Sequence, residues 1–179
     1  VNEAPSAVAL SANSIVENAT GATVGTLSAT EVDTGDSVTY SVSGTDAASF
    51  EISGSTLKLK DSVSANYESQ TSYAVTVTTT DAGGLTTSQA FTISVANANE
   101  APSAVALSAS SIAENAAGAS VGTLSTTDVD AGDTASYSLS GTDASSFEIS
   151  STTLKLKDVV SANYESQTSY AVTVTTTDA

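Results

Sequence analysis

The 179-residue chain contains no cysteine, histidine, tryptophan, methionine or arginine, and it has only two prolines. Without cysteine it can form neither a disulfide nor a thiolate metal site. Serines are abundant, but no suitable base accompanies one in a recognisable motif, so we expect no nucleophilic catalysis and no enzyme. No apolar run approaches the ~18 residues of a membrane helix, so we expect no direct membrane insertion.

Positive charge is also scarce. Twenty acidic residues face four lysines, which gives a net charge of −16. Such a chain should repel nucleic acid, so we expect no nucleic-acid partner, and metal cations are its natural complement. Lys58 and Lys60 alternate with Leu57 and Leu59, which predicts that these lysines point outward and protect a sheet edge.

An internal repeat organises the whole chain. Asn-Glu-Ala-Pro at residues 2–5 returns at residues 99–102, and aligning 2–82 with 99–179 shows 15 substitutions over 81 positions, so 66 are identical. A period of 97 residues is the size of a domain and not of a solenoid repeat. We therefore predict two tandem domains, residues 1–98 and residues 99–179, the second without its last strand. Tandem arrays of this kind mostly provide length, stiffness or multivalency.

Short apolar runs with a period of two dominate each repeat. Residues 72–78 alternate so that Tyr73, Val75 and Val77 share one face, and residues 91–95 alternate in the same way. Asp-Ala-Gly-Gly at 81–84 supplies the turn that would pair these two runs as a hairpin. Residues 50–52 and 57–60 predict a second hairpin, and further runs lie at 8–10, 14–16, 23–27 and 38–42. Roughly seven short strands with this spacing predict an all-β fold, two tandem immunoglobulin-like Greek-key β-sandwiches.

Acidic residues and asparagines recur in the predicted loops at the same places of both repeats. Repeat 1 has Glu17-Asn18, Glu31-Val32-Asp33, Asn66-Tyr67-Glu68 and Asp81, whereas repeat 2 has Glu114-Asn115, Asp128-Val129-Asp130, Asn163-Tyr164-Glu165 and Asp178. Asn97, Asn99 and Glu100 lie between the repeats. This set resembles the cadherin repeat, in which x-E-N, D-x-D and L-D-R-E motifs, a late Asp and a D-x-N-D-N-x-P linker bind calcium between successive domains. The Asn-Glu-Ala-Pro linker and the Gly-Thr-Leu-Ser and Phe-Glu-Ile stretches are similar to the cadherin-like repeats of large, RTX-type bacterial surface adhesins.

The resemblance implies a Ca²⁺ site at the junction of the repeats, holding two or three ions. Its implied ligands are Glu17, Asn66, Glu68, Asn97, Asn99, Glu100, Asp128, Asp130 and Asp178. Asn97 and Glu100 stand where the family usually has Asp, and Asn66 replaces the Asp of L-D-R-E. Partial sites are implied at the two ends of the chain, from Asp33 and Asp81 and from Glu114 and Glu165. Calcium prefers six to eight oxygen ligands, which acids and amides supply.

Two functions follow from these patterns. We expect calcium-rigidified extender repeats of an extracellular bacterial adhesin, which support cell adhesion or biofilm formation and whose immediate partners are neighbouring repeats of the same polypeptide. The alternative is a cadherin-like module that binds surface polysaccharide or associates with itself between cells. An EF-hand at Asp128 is excluded by spacing, because the twelfth position is Leu139 and the sixth is not glycine.

Overall fold

A computed structural model describes residues 1–178 of the chain, which form two compact units, residues 1–98 (unit 1) and residues 99–178 (unit 2). Within these residues the regular structure is β-strand apart from two single 3-10 turns, Ala47–Ser49 and Ala144–Ser146. The prediction of an all-β fold is therefore confirmed. No helix in the described part of the chain is long and apolar enough to cross a membrane.

Unit 1 is a sandwich of two four-stranded sheets. Its strands are β1 (Ser6–Leu10), β2 (Ser14–Val16), β3 (Thr23–Thr30), β4 (Thr39–Ser43), β5 (Phe50–Ser53), β6 (Thr56–Leu59), β7 (Ser72–Thr80) and β8 (Thr86–Ala96). One sheet has the order β1-β3-β6-β5 and the other β2-β8-β7-β4. All pairs are antiparallel except β2 with β8, which are parallel.

The alternating runs of the sequence form the strands that they predicted. β7 and β8 form a long hairpin with Ser72 opposite Ser94 and Thr80 opposite Thr86, and β5 pairs with β6. Tyr73, Val75 and Val77 are buried, because alternate side chains of β7 face the second sheet. In that core the rings of Phe50 and Tyr73 meet edge to face with centroids 5.4 Å apart.

Unit 1 has eight strands where roughly seven were expected, because its first strand is divided between the two sheets. β1 pairs with β3; after three connecting residues β2 begins, and it pairs with β8 in the other sheet. The connecting residues cross closely over Gly25, where a Cβ atom would lie 2.9 Å from the backbone nitrogen of Ala12 and 2.8 Å from Ser11 Oγ. Glycine in the Gly-Thr-Leu-Ser stretch thus lets the chain change sheets.

Unit 2 repeats this fold with fewer strands. Its strands are β9 (Ala104–Leu107), β10 (Ser120–Thr127), β11 (Ser136–Ser140), β12 (Phe147–Ser150), β13 (Thr153–Leu156) and β14 (Thr173–Thr177). One sheet has the order β12-β13-β10-β9, and the other contains only β11 and β14. Among residues 99–178 no strand corresponds to β8.

The predicted edge position of the lysines is wrong. Lys58 lies on β6, which is flanked by β3 and β5 and is therefore an interior strand. Its ammonium group pairs with Glu51 on the neighbouring strand at 3.2 Å and with Asp61 at 2.5 Å, and Lys155 makes the equivalent pairs in unit 2. The alternation with leucine predicts only that the lysine side chains point away from the core. It does not predict whether their strand lies at the edge of the sheet, because that depends on the order of strands distant in sequence.

Candidate metal centre

Glu17 is a buried carboxylate at the end of unit 1 where β8 finishes. It follows β2, whose last residue Val16 lies beside Ala96, and only 2% of Glu17 is exposed. One carboxylate oxygen accepts the N–H of Tyr67 at 2.7 Å and the other accepts the N–H of Ala98 at 2.9 Å. Because a carboxylate oxygen has further lone pairs, both oxygens remain able to bind a cation.

The residues around Glu17 are arranged by two local turns. Asn18 adopts a left-handed conformation with φ of 63°, which asparagine tolerates better than most residues, and this turns the chain directly after Glu17. In the Asn66-Tyr67-Glu68 loop the side-chain oxygen of Asn66 accepts the N–H of Ser69 at 2.7 Å. Exposed Glu68 brings a carboxylate oxygen within 4.8 Å of one from Glu17. Two of the implied ligands of unit 1 therefore lie together.

A second acidic cluster lies at the opposite end of unit 1, where β8 begins. Eleven residues of β8 separate the two ends by about 33 Å. Asp81, in the β7–β8 turn, is buried and accepts the side-chain amide of Asn2 at 2.9 Å and the N–H of Leu85 at 2.8 Å. Asp33 accepts the N–H of Glu3 at 2.8 Å. These two carboxylates hold the first residues of the chain against the sandwich.

Glu31 belongs to the same cluster and has one oxygen without a partner. One oxygen accepts the N–H of Val32 and of Asp33, whereas Glu31 Oε2 is buried and accepts no hydrogen bond. A buried anionic oxygen without a donor is costly unless a cation compensates it.

Unit 2 reproduces this cluster at its own N-terminal end. Asp130, only 5% exposed, accepts the N–H of Glu100 at 2.7 Å, and Asp178 accepts the side-chain amide of Asn99 at 3.1 Å. One oxygen of Asp128 accepts the N–H of Asp130, and Asp128 Oδ2 is buried and accepts no hydrogen bond. Glu31 and Asp128 occupy equivalent positions, so the same unpartnered oxygen occurs in both units.

Like charges perturb the titration of carboxyl groups beside both clusters. The negative charge of Asp33 raises the pKa of Glu3 above its usual value of 4.5. Partial removal from water, together with the charges of Asp130 and Asp128, raises the pKa of Asp133 above 3.8. Among the described residues, Lys58 and Lys155 form ion pairs with Glu51, Asp61, Glu148 and Asp158, and none of these acids belongs to the two clusters.

The C-terminal end of unit 2 leaves its acidic residues more exposed than that of unit 1 leaves Glu17. Glu114, the counterpart of Glu17, is exposed and accepts only the N–H of Tyr164, at 3.1 Å. Glu165 is exposed, as is Asn97 in unit 1. Neither Glu114 nor Glu165 shows the enclosure of Glu17.

The described residues therefore bring together Glu17 with Glu68 in unit 1, and the three aspartates Asp128, Asp130 and Asp178 with Asn99 and Glu100 in unit 2. Three features lay outside the sequence prediction: the backbone N–H groups of Tyr67 and Ala98 on Glu17, the role of Asn66 in a turn, and the unpartnered oxygen of Asp128. Only the side-chain position in the folded unit reveals them, because residue type and spacing do not encode hydrogen-bond partners.

The fold and these ends define a class of protein: tandem β-sandwiches whose ends gather carboxylates suited to a divalent cation. The chain belongs to the cadherin family, because the family model of the cadherin domain matches residues 12–96 and 108–179. Cadherin domains are extracellular, non-catalytic adhesion modules that interact with neighbouring repeats and typically depend on calcium. The family therefore confirms the expectation that the chain is not an enzyme.

Solved structures of similar fold include several protocadherins. The human protocadherin-24 EC1–2 structure is 21% identical with a TM-score of 0.70, and the match covers 93% of this chain and 82% of that one. The protocadherin gamma B7 EC3–6 structure is 24% identical (TM-score 0.69, coverage 98% and 44%), and the protocadherin gamma B4 extracellular domain is 22% identical (TM-score 0.70, coverage 99% and 29%). At this identity the likeness establishes the fold alone. No curated protein matches the chain in sequence.

Proposed function

We propose that the chain is a pair of calcium-rigidified extender repeats of a bacterial surface adhesin, which supports cell adhesion or biofilm formation. The calcium ligands in this proposal come from unit 1, the connecting residues and unit 2: Glu17, Asn66 and Glu68; Asn97, Asn99 and Glu100; Asp128, Asp130 and Asp178. The bacterial assignment depends on the sequence resemblance of the Asn-Glu-Ala-Pro, Gly-Thr-Leu-Ser and Phe-Glu-Ile stretches.

The observation that carries the calcium proposal is the unpartnered, buried oxygen of Asp128, which recurs at Glu31. In both residues the second oxygen is held by backbone N–H groups, so the carboxylate is fixed in place. A fixed carboxylate with one dry, unbonded oxygen is suited to a hard cation, and calcium takes its ligands from such oxygens. The chemistry of the donor set, carboxylates and amide oxygens without nitrogen or sulfur, favours Ca²⁺ over zinc.

Chain connectivity supports the participation of both units. Ala98, whose N–H is bound by Glu17, is followed directly by Asn99, whose amide donates to Asp178. Consecutive Cα atoms are about 3.8 Å apart, so no flexible linker separates these two anchored residues. A cation that neutralises the acids on either side would remove their repulsion and restrict rotation about this connection. Asp33 with Asp81, and Glu114 with Glu165, would act in the same way toward further repeats.

The test uses a spin label on each unit. The chain has no cysteine, so Ser43→Cys and Ser140→Cys, at exposed and equivalent positions of β4 and β11, give one label per unit. We expect the distribution of distances between the two labels, measured by double electron–electron resonance, to be narrower in millimolar Ca²⁺ than in EDTA. Glu17→Gln combined with Asp130→Asn should abolish the narrowing. The matched control, Glu114→Gln combined with Asp33→Asn, should retain it.

Two outcomes would contradict different parts of the proposal. A distribution that stays broad up to tens of millimolar Ca²⁺, without any rise in thermal midpoint, would exclude the calcium site. A calcium-dependent rise in the midpoint of thermal unfolding, without a narrower distribution of distances between the labels, would establish calcium binding and exclude the role as a rigid extender.

Binding of polysaccharide is the second candidate function. Of the aromatic residues, Tyr67 and Tyr164 are exposed, one in each repeat at the equivalent loop position. Aromatic rings of this kind are platforms on which sugars stack. Retention of the chain on insoluble polysaccharide, lost in the Tyr67→Ala and Tyr164→Ala double variant, would favour this function over the extender.

A further inference from the structure

The second sheet of unit 1 contains the one parallel strand pair of residues 1–98. β2 runs in the same direction as β8, with Ile15 beside Val95, whereas the other strand pairs of the unit are antiparallel. β2 is an edge strand, and β8 lies between it and β7. The segment by which the chain enters this sheet and the segment by which it leaves are therefore joined side by side.

Tension along the chain would act on this pair in shear. A pull on the residues before β2 draws β2 backward along its own axis, and a pull on the residues after β8 draws β8 forward. Because the two strands point in the same direction, the two forces oppose each other along the strands. The evenly spaced hydrogen bonds of a parallel pair would then carry the load together and not one after another.

Further hydrogen bonds extend the connection beyond the three residues of β2. Before β2 begins, the carbonyl of Asn13 accepts the N–H of Ser94 at 2.9 Å. After β2 ends, Glu17 donates its own N–H to the carbonyl of Ala96 at 3.2 Å, and its carboxylate accepts the N–H of Ala98 at 2.9 Å. The two segments are thus held together on both sides of the short strand.

The pair is also anchored in the core of unit 1. The neighbours Ile15 and Val95 are only 3% and 4% exposed. β8 is held on its other side by β7 over nine residue pairs, whereas β2 has no strand on its other side. Under tension β2 is therefore the strand that must leave, and it must draw Ile15 out of the core as it slides.

The contacts upstream of β2 offer a weaker connection. β1 pairs with β3, but the register shifts between Ser6 and Ala9. Within this irregular stretch Ala7 has a φ of 54°, a conformation that residues with a Cβ atom rarely adopt. Before β1, the hydrogen bond from the N–H of Glu3 to Asp33 is exposed. We therefore expect the residues before β2 to detach at a lower force than β2 itself.

We propose that unit 1 has a mechanical function, in which the pair of β2 and β8 is a clamp that resists tension along the chain. Tension first detaches β1, and the unit unfolds only when β2 slides past β8. The inference adds tensile strength to the proposed function as an extender. The clamp is made by unit 1 alone and holds in EDTA, so its failure would leave the calcium-dependent stiffening untouched.

The test is single-molecule force spectroscopy of the 179-residue chain in EDTA. Because the chain has no cysteine, Val1→Cys and Ala101→Cys, both at exposed positions, attach one handle on either side of unit 1. Unfolding between these handles releases about 300 Å of chain, which identifies the event.

The matched control pulls the same folded unit in another direction, through Ser72→Cys and Ala101→Cys. Ser72 begins β7 and lies opposite Ser94 near the end of β8, so this pull separates the antiparallel strands one pair at a time. Because forced unfolding is limited by the unfolding barrier, we expect the force in the first geometry to be at least about twice that in the second.

Two core variants distinguish the clamp from general stability. Ile15→Ala removes the anchor of β2, whereas Leu57→Ala removes a fully buried side chain of β6 in the other sheet. The loss of stability of each variant is measured by urea unfolding. We expect Ile15→Ala to lower the unfolding force in the first geometry at least about twice as much as Leu57→Ala, even where Leu57→Ala loses more stability.

Each other outcome overturns the proposal. Equal forces in the two geometries would mean that β2 and β8 do not resist the pull in shear. A fall in force that follows the loss of stability in both variants would mean that the whole core sets the barrier. A larger fall for Val8→Ala, at the buried residue of β1, than for Ile15→Ala would mean that β1 and β3 form the barrier instead.

Discussion

Replacement of Glu17 by glutamine separates the structural contribution of this carboxylate from its contribution to calcium binding. Glu17 is 2% exposed and accepts two N–H groups, at 2.7 and 2.9 Å. Each hydrogen bond to a charged acceptor contributes about 1.5–3 kcal/mol. Glutamine keeps one acceptor oxygen but turns an NH₂ group toward the other N–H donor. We therefore expect the weakened hydrogen bonding alone to lower the free energy of unfolding by about 2–3 kcal/mol.

Repulsion between Glu17 and Glu68 acts in the opposite direction. Their oxygens lie within 4.8 Å, and two unit charges at that distance repel by about 3 kcal/mol at an effective dielectric constant of 20 and by about 1 kcal/mol in water. Because Glu68 is exposed, the smaller value applies. In EDTA, Glu17→Gln should therefore lower the free energy of unfolding of unit 1 by only about 1–2 kcal/mol.

Calcium should enlarge the loss of stability that Glu17→Gln causes. A cation bound at one site with a concentration 100 times its Kd stabilises the folded state by about 2.7 kcal/mol. If glutamine at position 17 abolishes that site, the same substitution should cost about 4 kcal/mol in calcium. Since 1 kcal/mol shifts the midpoint of thermal unfolding of a domain of this size by about 4–8 °C, scanning calorimetry easily distinguishes the loss of stability in calcium from the loss in EDTA.

Glu114→Gln is the matched control for this measurement. Glu114 occupies the equivalent position, is exposed and accepts one hydrogen bond at 3.1 Å. We expect its replacement to cost less than about 1 kcal/mol in either buffer. An equal loss of stability for Glu17→Gln in EDTA and in calcium would refute the reasoning, because Glu17 would then be a purely structural residue.

Three further predictions concern packing, hydrogen bonding and pH. Leu57→Ala should cost about 3–4 kcal/mol by urea unfolding, because Leu57 is fully buried in the core of unit 1; a loss below about 1 kcal/mol would contradict this. Ala29→Thr should stabilise unit 1 by about 1 kcal/mol, because the buried hydroxyl of Thr79 has no hydrogen-bond partner, whereas its counterpart Thr176 is hydrogen-bonded to Thr126, the counterpart of Ala29. Thr126 also bonds Tyr137, so Thr126→Ala should destabilise unit 2; an unchanged free energy of unfolding in Ala29→Thr would contradict this explanation. In EDTA the thermal midpoint should be higher at pH 5 than at pH 7, because the raised pKa values of Glu3 and Asp133 mean that the folded chain binds more protons than the unfolded one; in calcium, protons compete with the cation and the trend should reverse.

The strand content of unit 1 could be predicted from the sequence because its signal is local. Alternation at residues 72–78 and 91–95 and the turn at 81–84 lie close together, and they form the β7–β8 hairpin. The division of the first strand between two sheets could not be predicted, since it depends on the passage of residues 11 and 12 over Gly25. The position of Lys58 on an interior strand likewise depends on sheet order, which no local pattern contains.

For the candidate metal centre the sequence supplied the residue types but not their environment. Glu17 and Glu114 belong to the same sequence motif, yet Glu17 is buried, with 2% of its surface exposed, whereas Glu114 lies on the surface of its unit. In unit 1, Ala98, at the end of the segment that follows β8, donates its N–H to Glu17. The surroundings of Glu17 thus depend on a residue about 80 positions away along the chain, which the local motif does not contain.

The substitution between Glu31 and Asp128 separates a requirement for charge from a requirement for shape. It is one of the 15 differences between the repeats, and it shortens the side chain by one methylene group. In spite of this change, one oxygen of each residue accepts backbone N–H groups, two at Glu31 and one at Asp128, and the other oxygen is buried without a donor. A purely structural acceptor would tolerate an amide, which carries no charge and avoids the cost of an unpaired buried anion. Both positions nevertheless keep a carboxylate, beside further acids that already repel it. A cation accounts for all three features, because it needs the charge, occupies the unbonded oxygen and compensates the repulsion.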